Sequence, residues 1–469
     1  MLFNSLSFVI FFVIVTTLYF LLSQKYRWLL LLIASCYFYM TFIPVYILIL
    51  GFTIVVDYFA GIYIENARGT RRKFFLTLSL IANIGVLCIF KYYNFLNENL
   101  SILLSHLGYR NVIPYLTILL PIGLSFHTFQ AMSYTIEVYR GNQKSERNFG
   151  IYALYVMFYP QLVAGPIERP QNLLHQFYEH HKFNSERVSA GLKQMMVGFL
   201  KKLIVADRLS IYVDTIYNTS DVQSGKSLLV ATVFFAFQIY CDFSAYSDIA
   251  IGAAKVMGFD LMKNFNRPYF SQSVSEFWRR WHISLSTWFK DYLYFSLGGS
   301  RVKTSFRRYL NLLIVFLISG LWHGANWTFV IWGALNGFLL IIESMLNLPN
   351  RSKTLWQRLL RIIITFSLIC LTWVFFRATS ANEAFTIVRK IFQFKGSLYL
   401  GNPKDHFFYS VAAIIVLLFI EFMREYKPQS FKLLDNKSII VRYSIYIVSI
   451  VLILLFGVLD GGQFIYFQF

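Results

Sequence analysis

Long apolar runs separated by short polar connections dominate the chain. An apolar helix needs about 20 residues to cross a bilayer, and residues 2–22 fill one such run. Residues 28–64 are long enough for two crossings that turn near Thr41 and Pro44. The other runs are residues 74–90, 112–136, 149–167, 191–206, 228–257, 310–342, 362–376, 407–422 and 439–458. The pattern predicts an all-α, polytopic membrane protein with roughly ten to twelve spans.

Composition agrees with this pattern. Hydrophobic residues make up 57% of the chain and charged residues 14%, against roughly 45–50% and about 25% in soluble domains. The formal net charge of +20 would favour nucleic-acid binding in a soluble protein. Here the basic residues flank apolar runs, so we predict contact with membrane lipid and no nucleic-acid partner.

Basic clusters also predict the topology. Lys25 and Arg27 follow the first apolar run, and residues 68–73 form a second cluster after two predicted crossings. Positive charge concentrates on the cytoplasmic side of a membrane, so both clusters are predicted to be cytoplasmic and the N-terminus outside. The first apolar run is interpreted as a retained span rather than a cleaved signal.

Cysteine usage gives no sign of a metal centre. The four cysteines, Cys36, Cys88, Cys241 and Cys370, lie in apolar surroundings and none forms a C-x-x-C pair. We therefore predict no disulfide framework, no metal site and no bound cofactor.

Residues 275–296 interrupt the apolar pattern with five charged side chains, Glu276, Arg279, Arg280, Lys290 and Asp291. An Arg, Lys or Asp at the bilayer centre costs about 2.5–3.5 kcal/mol, so this segment is not an ordinary span. Its apolar residues recur every three or four positions: Phe277, Trp281, Leu285, Trp288, Tyr292 and Phe295. This spacing predicts one amphipathic helix, with Ser273 and Glu276 as its capping box. Such a helix lies in the interface or re-enters the protein.

Most histidines lie in polar connections. Five of the eight are interpreted as solvated surface residues: His106, His175, His180, His181 and His406. His127 lies in an apolar run, where a structural hydrogen bond and a role on a transport pathway are both open. His282 and His323 remain as the chemically informative pair.

The position of His323 follows from the charge rule. It belongs to the sequence SGLWHGANW, between basic loops at residues 301–308 and 351–361 that are both predicted to be cytoplasmic. Residues 309–348 must then cross outward and return, with the turn at 324–326. About 13 residues at 1.5 Å rise place His323 some 20 Å from the inner face.

A neutral imidazole at that depth can take a proton from a hydroxyl during acyl transfer. A structural hydrogen bond between helices is the alternative for His323. Gly320 and Gly324 would allow a substrate or a neighbouring helix to come close.

His282 lies in the amphipathic segment and is given an auxiliary role. Arg279 and Arg280 beside it could hold donor phosphates or extend to the lipid headgroups, and Trp281 and its neighbouring tryptophans could form an interfacial belt. Residues 240–248 place further polar side chains in an apolar run, for which we expect a polar interior rather than acid–base work. The residues predicted to line the path of the substrate are Tyr240, Asp242, Ser244, Tyr246, Arg280, Trp281, Trp322 and Asn326.

Several long motifs together resemble the membrane-bound O-acyltransferase family, in its alginate and peptidoglycan O-acetyltransferase branch. They are FHTFQAMSYTIEVYRG (126–141), QLVAGPIERP (161–170), YCDFSAYSDIAIG (240–252), NRPYFSQSVSEFWRRWHISLSTWFKDYLY (266–294), GGSR (298–301), SGLWHGANWTFVIWGALNG (319–337) and FIYFQF (464–469). The resemblance implies that His323 is the catalytic histidine and His282 the second motif histidine. It also implies a single membrane domain over residues 1–469, with helices around a central tunnel.

The resemblance further implies acetyl transfer from a cytoplasmic thioester, with acetyl-CoA as the expected donor, to an exported or cell-wall polysaccharide. It places the protein in the bacterial cytoplasmic membrane and implies an extracytoplasmic serine esterase-like (SGNH-type) acetyltransferase as partner. Two alternatives stay open: a D-alanyl transferase of the same superfamily, and a transporter or flippase. The absence of an inverted repeat in the sequence disfavours the transporter.

Overall fold

The computed structural model describes residues 1–117, 121–163, 165–346, 354–429, 434–458 and 464–465. These residues form helices and connecting loops, without a β-strand among them. The first helices are α1 (Leu6–Leu21), α2 (Gln24–Met40), α3 (Ile47–Asn66), α4 (Thr70–Leu87), α5 (Tyr93–His106), α6 (Leu124–Arg140), α7 (Phe149–Met157), α8 (Tyr159–Leu162), α9 (Pro170–Leu173) and α10 (Ser185–Leu200). The later helices are α11 (Asp207–Tyr217), α12 (Gly225–Met257), α13 (Val274–Arg280), α14 (Ile283–Trp288), α15 (Ser305–His323), α16 (Trp327–Leu346), α17 (Leu355–Arg377), α18 (Ala381–Gln393), α19 (Asp405–Tyr426) and α20 (Ile439–Phe456). The all-α prediction is confirmed.

Seven helical segments in the described part of the chain are long and apolar enough to cross a membrane. They are Pro44–Asn66, Thr70–His106, Gly225–Met257, Trp327–Leu346, Leu355–Arg377, Asp405–Tyr426 and Ile439–Phe456. The apolar helix α1 is shorter, with 16 residues. The multi-pass prediction is confirmed. The predicted number of spans, ten to twelve, is higher than seven because it also includes shorter or more polar helices.

The described chain divides into two compact units. Unit 1 contains residues 1–192 and 250–262, and unit 2 contains residues 193–249 and 263–469. The single domain over residues 1–469 stays a prediction.

Unit 1 is held together by buried polar contacts between apolar helices. The Asp57 carboxylate on α3 accepts hydrogen bonds from Ser79 (2.6 Å) and Asn83 (2.8 and 2.9 Å) on α4. His127 on α6 contacts Thr53 Oγ1 through Nε2 at 2.6 Å. Because unsatisfied polar groups are costly in an apolar interior, these pairs fix how the helices pack. The contact favours the structural interpretation of His127.

His181 corrects one prediction. Its side chain is buried, its Nε2 lies 2.9 Å from the Gln176 carbonyl oxygen, and its ring packs on Phe259. It is therefore not a solvated surface histidine. A polar connecting sequence does not reveal that the connection folds back onto the core.

Unit 2 has two distinct ends. At one end, Arg308 of α15 reaches Ser344 of α16 at 3.4 Å. Arg358 of α17 lies over the ring of Tyr426 at the close of α19. His323 lies at the opposite end of α15, about 22 Å from Arg308 along the helix axis at 1.5 Å rise per residue. The basic residue Arg308 and His323 therefore lie at opposite ends of α15, as the predicted topology requires.

Candidate active site

The α15–α16 hairpin positions His323. Gly320 and Gly333 are the contact points: a Cβ on Gly320 would lie 2.2 Å from the Phe329 carbonyl oxygen, and one on Gly333 would lie 2.3 Å from that of Phe316. Only glycine allows backbones this close. Residues 324–326 form the predicted turn between the helices. Gly320 was predicted to allow the close approach of a substrate or of a neighbouring helix, and the structure shows the neighbouring helix.

Aromatic rings surround the His323 side chain, which is 5% exposed. Its imidazole lies 5.0 Å from the Trp322 ring, 5.0 Å from the Trp332 ring and 5.4 Å from the Phe376 ring, measured between centroids. The contact with Trp332 is edge-on at 88°. Such surroundings exclude water and strengthen electrostatic effects at the imidazole.

His282 lies at a break that the sequence pattern did not predict. The predicted continuous helix over residues 275–296 is wrong: α13 ends at Arg280, Trp281 is extended, and His282 has φ 43° and ψ 56° before α14 begins. A left-handed backbone at a non-glycine residue costs of order 1–3 kcal/mol and needs support from its surroundings. Periodicity reports which face is buried, and it cannot report a local break between two helical segments with the same buried face.

Other features of this segment agree with the prediction. Ser273 Oγ accepts the main-chain N–H of Glu276 at 3.1 Å, as expected for an N-cap. The Glu276 carboxylate accepts the N–H of Gln272 at 2.8 Å. Trp281 is 1% exposed, so it belongs to the core and not to an interfacial belt.

Asn264 holds His282 in place, and sequence reasoning missed it. The Asn264 side-chain oxygen lies 3.2 Å from His282 Nδ1 and accepts hydrogen bonds from the N–H and hydroxyl of Ser284 at 3.2 and 2.9 Å. A single asparagine in a polar connection carries no sequence signal. Only the fold brings it against the break.

Trp322 links the two histidines. Its ring centroid lies 5.0 Å from that of His323 and 6.4 Å from that of His282. The structure therefore brings both predicted histidines to one indole in unit 2.

Arg280 is engaged by carboxylates. It pairs with Glu276 at 2.7 Å and with Glu425 at 3.0 Å, and Arg267 also reaches Glu425 at 2.5 Å. Two acidic partners already compensate its charge, which leaves less attraction for donor phosphates. Sequence reasoning did not identify Glu425.

The polar residues of α12 belong to a buried charge network. Asp242 accepts from Lys202 at 2.6 Å and from the main-chain N–H of Ile465 at 2.7 Å. Tyr240 donates to Glu421. The expected polar interior is present, and its cations are lysines in the predicted apolar run 191–206. A lysine pair inside such a run was an available signal, because buried charges need partners.

Two further predicted residues have defined places. Ser244 Oγ lies 3.3 Å from Lys201 Nζ. Tyr246 stacks on Phe464 at 4.4 Å. Residues 466–469 of the FIYFQF motif, Ala164 of QLVAGPIERP and Arg351 of the basic loop lie outside the described residues.

Asn326 caps α16. Its side-chain oxygen accepts the N–H of Thr328 at 3.0 Å, and its amide donates to the Thr379 carbonyl at 3.1 Å. These contacts give it a structural task at the turn next to His323.

Comparisons with known proteins identify relatives of this chain. Residues 148–381 match the model of MBOAT, the membrane-bound O-acyltransferase family. The chain is 43% identical over 382 residues to "Probable alginate O-acetylase AlgI" of Azotobacter vinelandii, covering 80% of this chain and 75% of that protein. It is 34% identical over 425 residues to "Peptidoglycan O-acetyltransferase" of Helicobacter pylori, covering 83% and 79%.

A more distant relative is "Teichoic acid D-alanyltransferase" of Bacillus subtilis, at 25% identity over 331 residues, 67% of this chain and 80% of that protein. Both histidines lie inside the matched region 148–381. The multi-pass helical fold, the matched region and the extent of identity agree. This chain is an O-acyltransferase and belongs to the membrane-bound O-acyltransferase family.

Proposed function

We propose that this protein transfers acetyl from cytoplasmic acetyl-CoA across the bacterial cytoplasmic membrane for O-acetylation of an exported or cell-wall polysaccharide. The observation that carries the proposal is the pair of buried imidazoles, His282 and His323, on one indole within the matched region. The substrate class follows the relatives named as alginate and peptidoglycan acetylating enzymes.

His323 is proposed as the general base or transient acyl carrier. As a base, its imidazole takes the proton of the acceptor hydroxyl while the hydroxyl oxygen attacks the thioester carbonyl. The carbon–sulfur bond breaks, a carbon–oxygen bond forms, and the departing thiolate takes the proton from the imidazolium. The products are an acetyl ester and the CoA thiol. The rings around His323 support this role because they limit competing attack by water.

His282 is proposed to position donor or acceptor beside Trp322. The thioester end of the donor would reach His323 along a tunnel lined by the residues predicted from the sequence: Tyr240, Asp242, Ser244, Tyr246, Arg280, Trp281, Trp322 and Asn326. The burial of Tyr240, Asp242, Ser244 and Tyr246 on one helix supports such a polar interior path.

The experiment that tests the function uses purified protein in liposomes. Acetyl-CoA is supplied on the side of the Arg308 end of α15, and alginate or peptidoglycan oligosaccharide on the other. CoA release and ester formation are measured together. Acetyl-CoA turnover that depends on His323 is expected. If the protein ignores acetyl-CoA but uses a D-alanyl thioester of a carrier protein, the acetyl assignment is wrong.

An extracytoplasmic serine esterase-like (SGNH-type) acetyltransferase is proposed as the acceptor of the acetyl group. The turn beside His323 contains only residues 324–326, which offers a small group access but supplies little groove for a polymer. We therefore expect slow ester formation on the oligosaccharide until the partner is added. Efficient acetylation without a second protein would refute the relay.

Sidedness is tested by cysteine labelling in a background where the four native cysteines are replaced. Arg68→Cys, Lys303→Cys and Thr354→Cys occupy exposed positions in the basic connections. An impermeant reagent should leave them unlabelled in intact cells and label them after lysis. Asn382→Cys on α18, exposed near the His323 end, is the matched control and should react in intact cells. The reverse pattern would overturn the proposed orientation with the N-terminus outside.

A further inference from the structure

Asn264 contacts three consecutive residues at the break between α13 and α14. Its main-chain oxygen accepts the N–H of Ile283 at 2.9 Å. Its side-chain oxygen accepts the N–H of Ser284 at 3.2 Å and faces His282 Nδ1 at 3.2 Å. The side chain is 0% exposed, and its amide nitrogen donates to Ser247 Oγ on α12 at 3.2 Å. Asn264 therefore joins the break to the long helix behind it.

These contacts assign the hydrogen on the His282 ring. A main-chain N–H can only donate, so the Asn264 atom that faces Ser284 N is the oxygen. The same oxygen lies 3.2 Å from His282 Nδ1. The Ser284 hydroxyl lies 3.5 Å from Nδ1, but it donates its hydrogen to Asn264 at 2.9 Å. Both neighbours of Nδ1 therefore accept, and Nδ1 carries the hydrogen in the neutral ring. The lone pair then lies on Nε2. The partner of one imidazole nitrogen sets the chemistry of the other.

We propose that Asn264 is a positioning residue for acyl transfer, which fixes the tautomer and orientation of His282 so that Nε2 is the hydrogen-bond acceptor of the ring. The inference rests on the proposed function, in which His282 positions donor or acceptor. Asn264 acts through His282 and does not itself touch the substrate.

The ring of His282 packs on three aromatic rings that do not titrate. The distances between ring centroids are 4.5 Å to Phe243, 6.3 Å to Phe265 and 6.4 Å to Trp322. The elements packed against it do carry titratable groups. These are Tyr240, Asp242, Tyr246 and Asp248 on α12, Glu276, Arg279 and Arg280 on α13, Lys290 and Asp291 after α14, and His323 on α15. Asp242 and Asp248 pair with lysines, and Arg280 with glutamates. A change at position 264 would therefore alter the direct hydrogen-bond partner of His282 without breaking an ion pair.

A double-mutant cycle tests this. The kcat/KM for acetyl transfer from acetyl-CoA to oligosaccharide is measured in liposomes, with the proposed SGNH-type partner supplied on the oligosaccharide side, for the wild type, Asn264→Ala, His282→Ala and the double variant. We expect Asn264→Ala to lower kcat/KM about 10- to 100-fold in the wild-type background, the range typical of groups that orient a functional histidine. In the His282→Ala background the further loss should stay below about threefold, because the ring that Asn264 orients is gone.

Asn311→Ala is the matched control. Asn311 is also fully buried in unit 2, but it donates to the carbonyls of Leu297 and Gly299. Asn311→Ala should lower kcat/KM by the same factor in both backgrounds, as expected for a residue that supports only the fold. Equal losses for Asn264→Ala in both backgrounds would overturn the inference alone. A wild type without acetyl transfer would overturn the proposed function and this inference with it.

Asn264→Asp keeps the inference testable if the alanine variant does not accumulate. A carboxylate still accepts from His282 Nδ1 and Ser284, and it favours the protonated imidazole. The acidic limb of the pH profile of kcat/KM should therefore move to higher pH, with a maximal rate within about tenfold of the wild type. A profile whose acidic limb coincides with the wild type would contradict the assignment.

Discussion

The two central histidines are both buried but are held in different ways. His323 closes a regular helix, and three aromatic rings, those of Trp322, Trp332 and Phe376, surround it. His282 lies at a left-handed break, and the side-chain oxygen of Asn264 keeps the ring hydrogen on Nδ1. The rings exclude water around His323, whereas the amide partner of His282 assigns one tautomer. The first environment suits a group that gains and loses a proton, and the second suits a group that orients a partner.

The largest effect is expected at His323. His323→Ala should lower acetyl transfer by about 10²- to 10⁴-fold, because alanine supplies no proton acceptor in a site that excludes water. The readout is CoA release in liposomes, with the amount of folded protein measured alongside. The matched control is His127→Gln, also a buried histidine, which pairs with Thr53 in unit 1. Wild-type activity in the alanine variant would show that the two histidines do not divide the work as proposed.

His282→Ala should lower acetyl transfer less, on the order of 10- to 100-fold, because the base His323 remains and only the orientation of donor or acceptor is lost. The same assay measures kcat and KM separately. Arg389→Gln, an exposed position on α18, serves as control and should behave as wild type. A loss at His282 greater than that at His323 would reverse the comparison.

Gly320→Ala tests the packing that positions His323. The added Cβ would lie 2.2 Å from a carbonyl oxygen, so α15 and α16 must separate. We expect a loss of stability of about 1–3 kcal/mol, as for other overpacked cores, seen as a lower thermal midpoint in detergent, together with reduced activity. Gly85→Ala in α4, where a Cβ meets nothing within 4 Å, should leave the midpoint unchanged or raise it. Equal midpoints for the two variants would contradict the close approach.

The smallest effect is expected at Arg280. Arg280→Gln should raise the KM for acetyl-CoA by less than about threefold, since Glu276 and Glu425 already engage the guanidinium and partly exposed ion pairs contribute about 0–1 kcal/mol. Glu276→Gln is the companion variant and should be equally mild. A KM increase of tenfold or more for Arg280→Gln alone would restore the phosphate-binding interpretation.

The sequence was most informative where one physical rule acts over many residues. Bilayer thickness sets the length of apolar runs, and this predicted the turn between α2 and α3 and the α15–α16 hairpin. Charge distribution predicted that His323 lies far from the basic end of unit 2. A buried ionisable residue in such a run is costly, which singled out His323.

The tertiary structure decided what depends on contacts between distant residues. The break at His282 follows from a partner 18 positions away, Asn264, and helical periodicity carries no record of that partner. Arg280 pairs with Glu425, which lies on a helix 145 positions along the chain. The sequence left donor binding and headgroup contact open for Arg280 and did not indicate this acidic partner. Hydrophobic patterning is local and repeats along the chain, so it can be read from the sequence. Hydrogen-bond and ion-pair partners depend on how the helices pack, and that is fixed only when the chain folds.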